Sequence, residues 1–211
     1  MARASANALA DLAGEVAACR RCPRLAAYGA EVAVRKRAAF AQERYWGRPV
    51  PGFGDPEAEL VLVGLAPAAH GAHRTGRMFT GDRSGDFLFA ALHRAGYASS
   101  PESRHRGDGL RLRGAYLTAA ARCAPPGNRP TPEEFDCCRP FLERELALLR
   151  RARVLLSLGQ LGHLQALKAL GARPGRFPFA HGAEYELGRY RLIACYHPSQ
   201  QNTFTGRLTA A

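Results

Sequence analysis

The 211 residues carry 30 Lys and Arg against 18 Asp and Glu, a formal net charge of +12, with 46% hydrophobic residues and six cysteines. That length and apolar content suit a single domain over residues 1–211 with a substantial core. No apolar run is long enough to cross a bilayer, and Met1-Ala2-Arg3-Ala4-Ser5 does not open a secretory type of apolar stretch.

Residues 7–18 read as a helix leading into Cys19-Arg20-Arg21-Cys22. Residues 23–50 are basic and mixed, and Pro49–Pro56 reads as a loop on its proline and glycine content. Glu59–Leu65 is an apolar run bounded by turn signals, the pattern of a buried parallel strand. Ser84–Ala95 places Phe87, Leu88, Ala91, Leu92 and Ala95 on one helical face, with Gly96 as the stop. Tyr116–Ala121 is a second strand. Thr131-Pro132-Glu133-Glu134 is a capping box with proline at the first helical position, and Pro140 is expected to divide this short helix from a second one over Phe141–Arg151. Arg153–Gly159 is a third strand, followed by a helix to about Leu170. Tyr190–Tyr196 is a fourth, ending at His197-Pro198. This alternation predicts an α/β sandwich with a mostly parallel sheet. Ligands of such sheets bind beyond the carboxyl ends of the strands, here segments 66–82, 122–129, 159–163 and 197–207.

The cysteines suggest a metal. Cys19-x-x-Cys22 brings two thiolates within reach of one centre, and Cys123 and Cys138 could complete a four-sulfur site. Zinc ribbons pair two tight knuckles, whereas the second pair here is widely spaced, which fits a cubane iron–sulfur cluster better. Cys137 and Cys138 are adjacent, so one is expected to ligate, and Cys138 is favoured. Cys195, inside a strand, is expected simply to pack. The positive charge, nearly all arginine with only Lys36 and Lys168 as lysines, suggests a polyanionic partner, nucleic acid first, although a GC-rich genome would produce the same bias.

Gly64-Leu65-Ala66-Pro67-Ala68-Ala69-His70-Gly71, Arg74-Thr75-Gly76-Arg77-Met78-Phe79-Thr80-Gly81-Asp82 and His197-Pro198-Ser199, with the Cys-x-x-Cys and Cys123-Ala124-Pro125-Pro126-Gly127-Asn128, occur together and in order. This set resembles the uracil-DNA glycosylase superfamily, most closely its iron–sulfur-containing family 5, or type b, from Cys19 to about Leu208. The resemblance implies a monomeric three-layer α/β/α fold with a central four-stranded parallel sheet. It implies a [4Fe-4S] cluster on Cys19, Cys22, Cys123 and Cys138. It also implies excision of uracil, and often other deaminated bases, from DNA, in a cytoplasmic, nucleoid-associated setting.

The residues suit that chemistry. A target base must leave the stack before its glycosidic bond can be reached. Phe79 offers a stacking face, and Gly64, Ala66 and His70 belong to the motif that would surround the base. His197 can donate to the negative charge that develops on the departing base. Ala66 stands where better-known relatives carry an acidic or amide residue, so Asp82, also a natural helix cap, is the expected water-directing carboxylate, and Asn128 is the second candidate. Ala119 replaces an asparagine that related families use to read uracil's edge, which fits a broad pocket. His73 stands where the family commonly has asparagine. Arg74, Arg77 and Arg207 are expected at phosphates. The segment Pro198–Gly206, read as a loop with Gln200, Gln201, Asn202 and Phe204, would enter the minor groove, with Gln201 and Asn202 touching DNA. With no lysine in a motif, strand cleavage through a covalent intermediate is not expected. The competing reading is a non-catalytic metal-cluster protein that binds nucleic acid.

Overall fold

The computed structural model describes residues 2–210. The chain opens with α1 (Ala2–Ala18) and α2 (Pro23–Arg35). The basic stretch after Cys22 therefore conceals a helix. Pro23 occupies a first-turn position, where its missing N–H costs nothing, and Leu25, Gly29 and Val32 form a narrow buried stripe. That stripe is too thin to stand out among the arginines.

Six strands form one mixed sheet: β1 (Phe53–Gly54), β2 (Leu60–Gly64), β3 (Ala115–Ala119), β4 (Val154–Leu158), β5 (Glu184–Leu187) and β6 (Tyr190–Cys195). Their order is β1-β3-β2-β4-β6-β5. The four central strands are parallel, as expected. The two edges are antiparallel additions to that four-stranded parallel centre. β1 is two residues long and β5 alternates exposed with half-buried positions, so neither carries the apolar run that marks a central strand.

Alternation along the strands builds the layers. Val61 and Val63 point into one apolar cluster with Leu155 and Leu192, against α5 (Pro132–Leu148) and α6 (Gln160–Ala169). Leu62, Leu117 and Ala119 point to the opposite cluster, with Leu88, Phe89 and Leu92 of α4 (Arg83–Arg94). α1 packs on α5 through Leu12, Val16 and Phe141. The result is a three-layer α/β/α arrangement. Among the described residues no helix is long and apolar enough to cross a membrane.

Pro140 does not divide α5. The helix runs unbroken from its capping box, in which Thr131 accepts from the Glu134 N–H at 3.3 Å and Glu134 accepts from the Thr131 N–H at 2.8 Å. The helix-breaking argument assumes that the lost bond has no substitute. Here Asp136, whose carbonyl loses its donor, and Pro140 itself both lie on the exposed face, where water can take over. Phe135, Cys138, Phe141, Leu142, Glu145 and Leu146 meanwhile bury one stripe on both sides of the proline.

Candidate active site and metal centre

The segment after β2, which includes the one-turn helix α3 (Ala72–Thr75), is shaped by close approaches. A Cβ on Gly64 would lie 2.7 Å from Cζ of Phe79, so only glycine admits that ring over the end of the strand. Phe79 itself takes φ +52°, a conformation that costs an ordinary side chain about 1–3 kcal/mol and clusters at functional sites. A Cβ on Gly71 would lie 2.0 Å from Oδ2 of Asp82. The loop backbone is thus pressed directly against this carboxylate.

Asp82 caps α4, accepting from the Gly85 N–H at 3.0 Å. Burial raises its pKa, opposed by the Gly85 and Ser84 amides and by Arg74. His197 follows the carboxyl end of β6. Gly159 takes φ +82°, and a Cβ added there would lie 3.2 Å from the His197 Cβ, so glycine lets the neighbouring turn approach closely. Burial lowers the His197 pKa, so the ring stays neutral through physiological pH. Among the described residues no side chain hydrogen-bonds that ring. Its centroid lies 5.9 Å from that of Phe79, with the planes 32° apart.

Phe79, Asp82 and His197 line one narrow cavity of about 50 Å³, with Ala66, Met78 and Ala119. Asp82 also lines a broad groove of about 910 Å³, with His70, Arg83, Asn128, Gln200 and Phe204. Behind His70, the buried Tyr45 hydroxyl accepts from the Arg37 N–H at 3.3 Å and lies 3.0 Å from His70 Nδ1. Burial, then Arg37 and Arg74, lowers the His70 pKa. Asn128 sits at φ +56° directly after Gly127 at +61°, a tight turn that brings it to the groove wall.

A second cavity, of about 110 Å³, lies on the far side of the loop after β3. Cys19, Cys22, Cys123, Cys137 and Cys138 all line it, with Arg122. The N-terminus of α2, the start of the loop after β3 and one face of α5 supply these thiols. Burial, then the hydrogen bond and charge of Cys137, pushes Cys22 up to about 12. Burial, then Cys138, Cys19 and Cys22, pushes Cys123 up to about 12. Thiols so placed are hard to ionise unless a cation stands among them. Among the described residues no three His, Cys, Asp or Glu side chains converge tightly enough to clasp one ion. Lining a cavity without meeting at a point suits a group larger than a single ion, and the Nε of Arg122 is a buried donor without a partner there.

The Uracil DNA glycosylase superfamily pattern matches residues 51–211. A type-5 uracil-DNA glycosylase of Thermus thermophilus is 58% identical over 193 residues, 91% of this chain and 87% of that protein. Those of Mycobacterium tuberculosis and Pyrobaculum aerophilum are 54% and 46% identical, over 97% and 94% of this chain and 77% and 86% of theirs.

The chain belongs to the uracil-DNA glycosylase superfamily.

For this superfamily chain, the structure gathers Phe79, Asp82, His197 and Ala66 into one cavity and places His70 and Asn128 on the adjoining groove. Gly64 does not line either space; it makes room for Phe79. Arg74 and Arg77 are corrections. Arg74 is buried, donates from Nε to the His70 carbonyl at 2.7 Å and from Nη2 to the Gly81 carbonyl at 2.8 Å, and pairs with Glu43. Arg77 is buried and pairs with Asp108 at 2.6 Å, which holds that carboxyl well below its usual range against the desolvation that opposes it. Both guanidinium groups brace the loop and neither is open to a phosphate. Sequence shows their charge and hides their partners.

Pro198–Gly206 is not a loop throughout, since Gln200–Phe204 forms α7, capped by Ser199. Asn202 turns inward and donates from Nδ2 to the His197 carbonyl at 2.9 Å, so it holds the catalytic candidate in place. Gln201 and Arg207 are exposed. Phe204 is 69% exposed at the groove, with the Arg83 guanidinium 5.4 Å from its ring centroid. Its neighbours in the sequence gave no reason to single it out. His73 lies away from the base cavity. It is buried, with Nε2 3.0 Å from the Gly29 carbonyl, and lines the cysteine cavity. Cys195 packs beside the α4-facing core cluster, as its strand position implied.

Proposed function

We propose that this chain hydrolyses the N-glycosidic bond of uracil, and of other deaminated bases, in DNA and leaves an abasic site. The observation that carries the reading is the single cavity shared by Phe79, Asp82 and His197, whose Asp82 also lines the adjoining groove of about 910 Å³. The type-5 relatives are uracil-DNA glycosylases by name.

The extruded base stacks on Phe79. As the bond breaks, negative charge gathers on the base and positive charge on the sugar. Neutral His197 donates a hydrogen bond to the base, and its burial strengthens that bond relative to water. The Asp82 carboxylate opposes the sugar charge and holds the attacking water, with Asn128 across the groove as a further polar group for water or substrate. Ala66 and Ala119 present only methyl groups, so the cavity reads the edge of the base weakly and accepts several lesions. Exposed Arg207, Arg83 and Gln201 and the ring of Phe204 meet the DNA, whose backbone the net charge of +12 attracts. Cys19, Cys22, Cys123 and Cys138 hold a [4Fe-4S] cluster that ties α2 and α5 to the sheet. The protein acts as a monomer in the nucleoid-bearing cytoplasm.

The test is base release from matched duplexes carrying uracil, hypoxanthine or xanthine. Release of base, with strand breaks only after hot alkali, is expected. Binding without release from any of the three would leave the non-catalytic reading in its place.

A further inference from the structure

Arg122 is the largest fully buried side chain among the described residues. Its Nη1 and Nη2 donate to Glu145 at 3.1 and 2.6 Å, and the same carboxylate accepts from the Thr118 hydroxyl at 2.6 Å and from the Tyr116 hydroxyl at 3.3 Å. Both partners of the pair are essentially without solvent. A pair this deep rarely adds stability over apolar packing, so its position calls for another explanation. Two facts point the same way. Arg122 immediately precedes Cys123 in the chain. Its Nε is buried without a partner while the residue lines the cysteine cavity.

We propose that Arg122 is the charge-balancing residue of the cysteine-lined metal centre, donating through Nε to sulfur and setting the reduction potential of the bound cluster, with Glu145 holding it in place. The inference rests on the four-cysteine cluster reading above. Four thiolates around a cubane leave the centre anionic, and each further electron adds negative charge. A fixed cation and N–H donors at sulfur stabilise the reduced form more than the oxidised one. Glu145 opposes this by partly cancelling the guanidinium. The two residues therefore shift the potential in opposite directions.

The experiment compares purified cluster-loaded wild type, R122Q, R122K and E145Q by dye-coupled redox titration, with iron and sulfide content and the rate of bleaching in chelator. In R122Q the reduced-to-oxidised ratio at a fixed ambient potential should fall about tenfold, equivalent to about 59 mV for a one-electron couple. R122K should recover part of the shift, because it restores the charge without Nε. E145Q should raise the ratio. R122Q should also bleach several-fold faster. General loosening of the fold would move both variants the same way, and that result would overturn the proposal, as would an unchanged potential in R122Q. If R122Q fails to load, the sign of the E145Q shift decides. Colourless wild-type protein would sink this inference together with the cluster reading, whereas brown wild type with indifferent variants would sink this inference alone.

Discussion

The two cavities treat buried charge in opposite ways. At the cysteine cavity, Arg122 and Glu145 satisfy each other, with 0% and 2% of their side chains exposed. At the base cavity, among the described residues, half-buried Asp82 has backbone amides as its hydrogen-bond donors and no ion-pair partner, and the ring of His197 has no partner. The first arrangement fixes structure; the second keeps polar groups free for a substrate. The same physics governs both. A buried charge must find compensation, and where the fold withholds it, the group is poised to gain from a ligand that supplies it.

The largest expected effect breaks the satisfied pair. Glu145→Ala leaves Arg122 buried and uncompensated, along with the Thr118 and Tyr116 hydroxyls. Breaking such a pair costs about 3–5 kcal/mol, measured by denaturant unfolding of the cluster-loaded protein. A loss under about 1 kcal/mol would mean that the pair is not compensated as the geometry indicates.

The complementary change, at the unsatisfied site, should alter rate and not stability. His197→Ala and Asp82→Asn are each expected to lower the single-turnover rate about 10²–10³-fold, with unfolding midpoints close to wild type, since asparagine still caps α4. Asp82, raised above the ordinary 3.8, must be an anion, and His197, lowered below the ordinary 6.5, must be neutral. Both conditions fail on the acid side. Activity should therefore decline as pH falls through the window between those values, and Asp82→Asn should remove the Asp82 part of that decline. A profile unchanged in both variants would place the catalytic ionisations elsewhere.

The smallest expected effect concerns the rim. Phe204→Ala removes an exposed ring at the groove and should weaken binding to lesion-containing duplex by about 1–3 kcal/mol, the range for stacking on one base, with little change in the rate at saturating enzyme. Equal affinity for the two proteins would exclude Phe204 from the DNA-contacting surface.

Much of the fold was legible because the central strands are apolar runs and α5 announces itself with a capping box. Its passage through Pro140 was not legible, because the outcome depended on which face of the helix met water. β1, β5, α2 and α7 were missed or understated because their apolar signal is short or thin. In the site, Phe79, Asp82 and His197 were nameable as residue types with the right chemistry next to strand ends. Arg74 and Arg77 were misread because a guanidinium looks the same in sequence whether it faces a phosphate or an internal carboxylate.

The sequence by itself determined the strand–helix alternation, the thiol set and the chemical groups available at the strand ends, since these follow from local pattern and residue type. Only the tertiary structure decided which charges are compensated, which glycines make room for a functional ring or carboxylate, and that five cysteines border one cavity. Those outcomes depend on contacts between segments far apart in the chain, and burial converts small differences in partnership into large differences in energy.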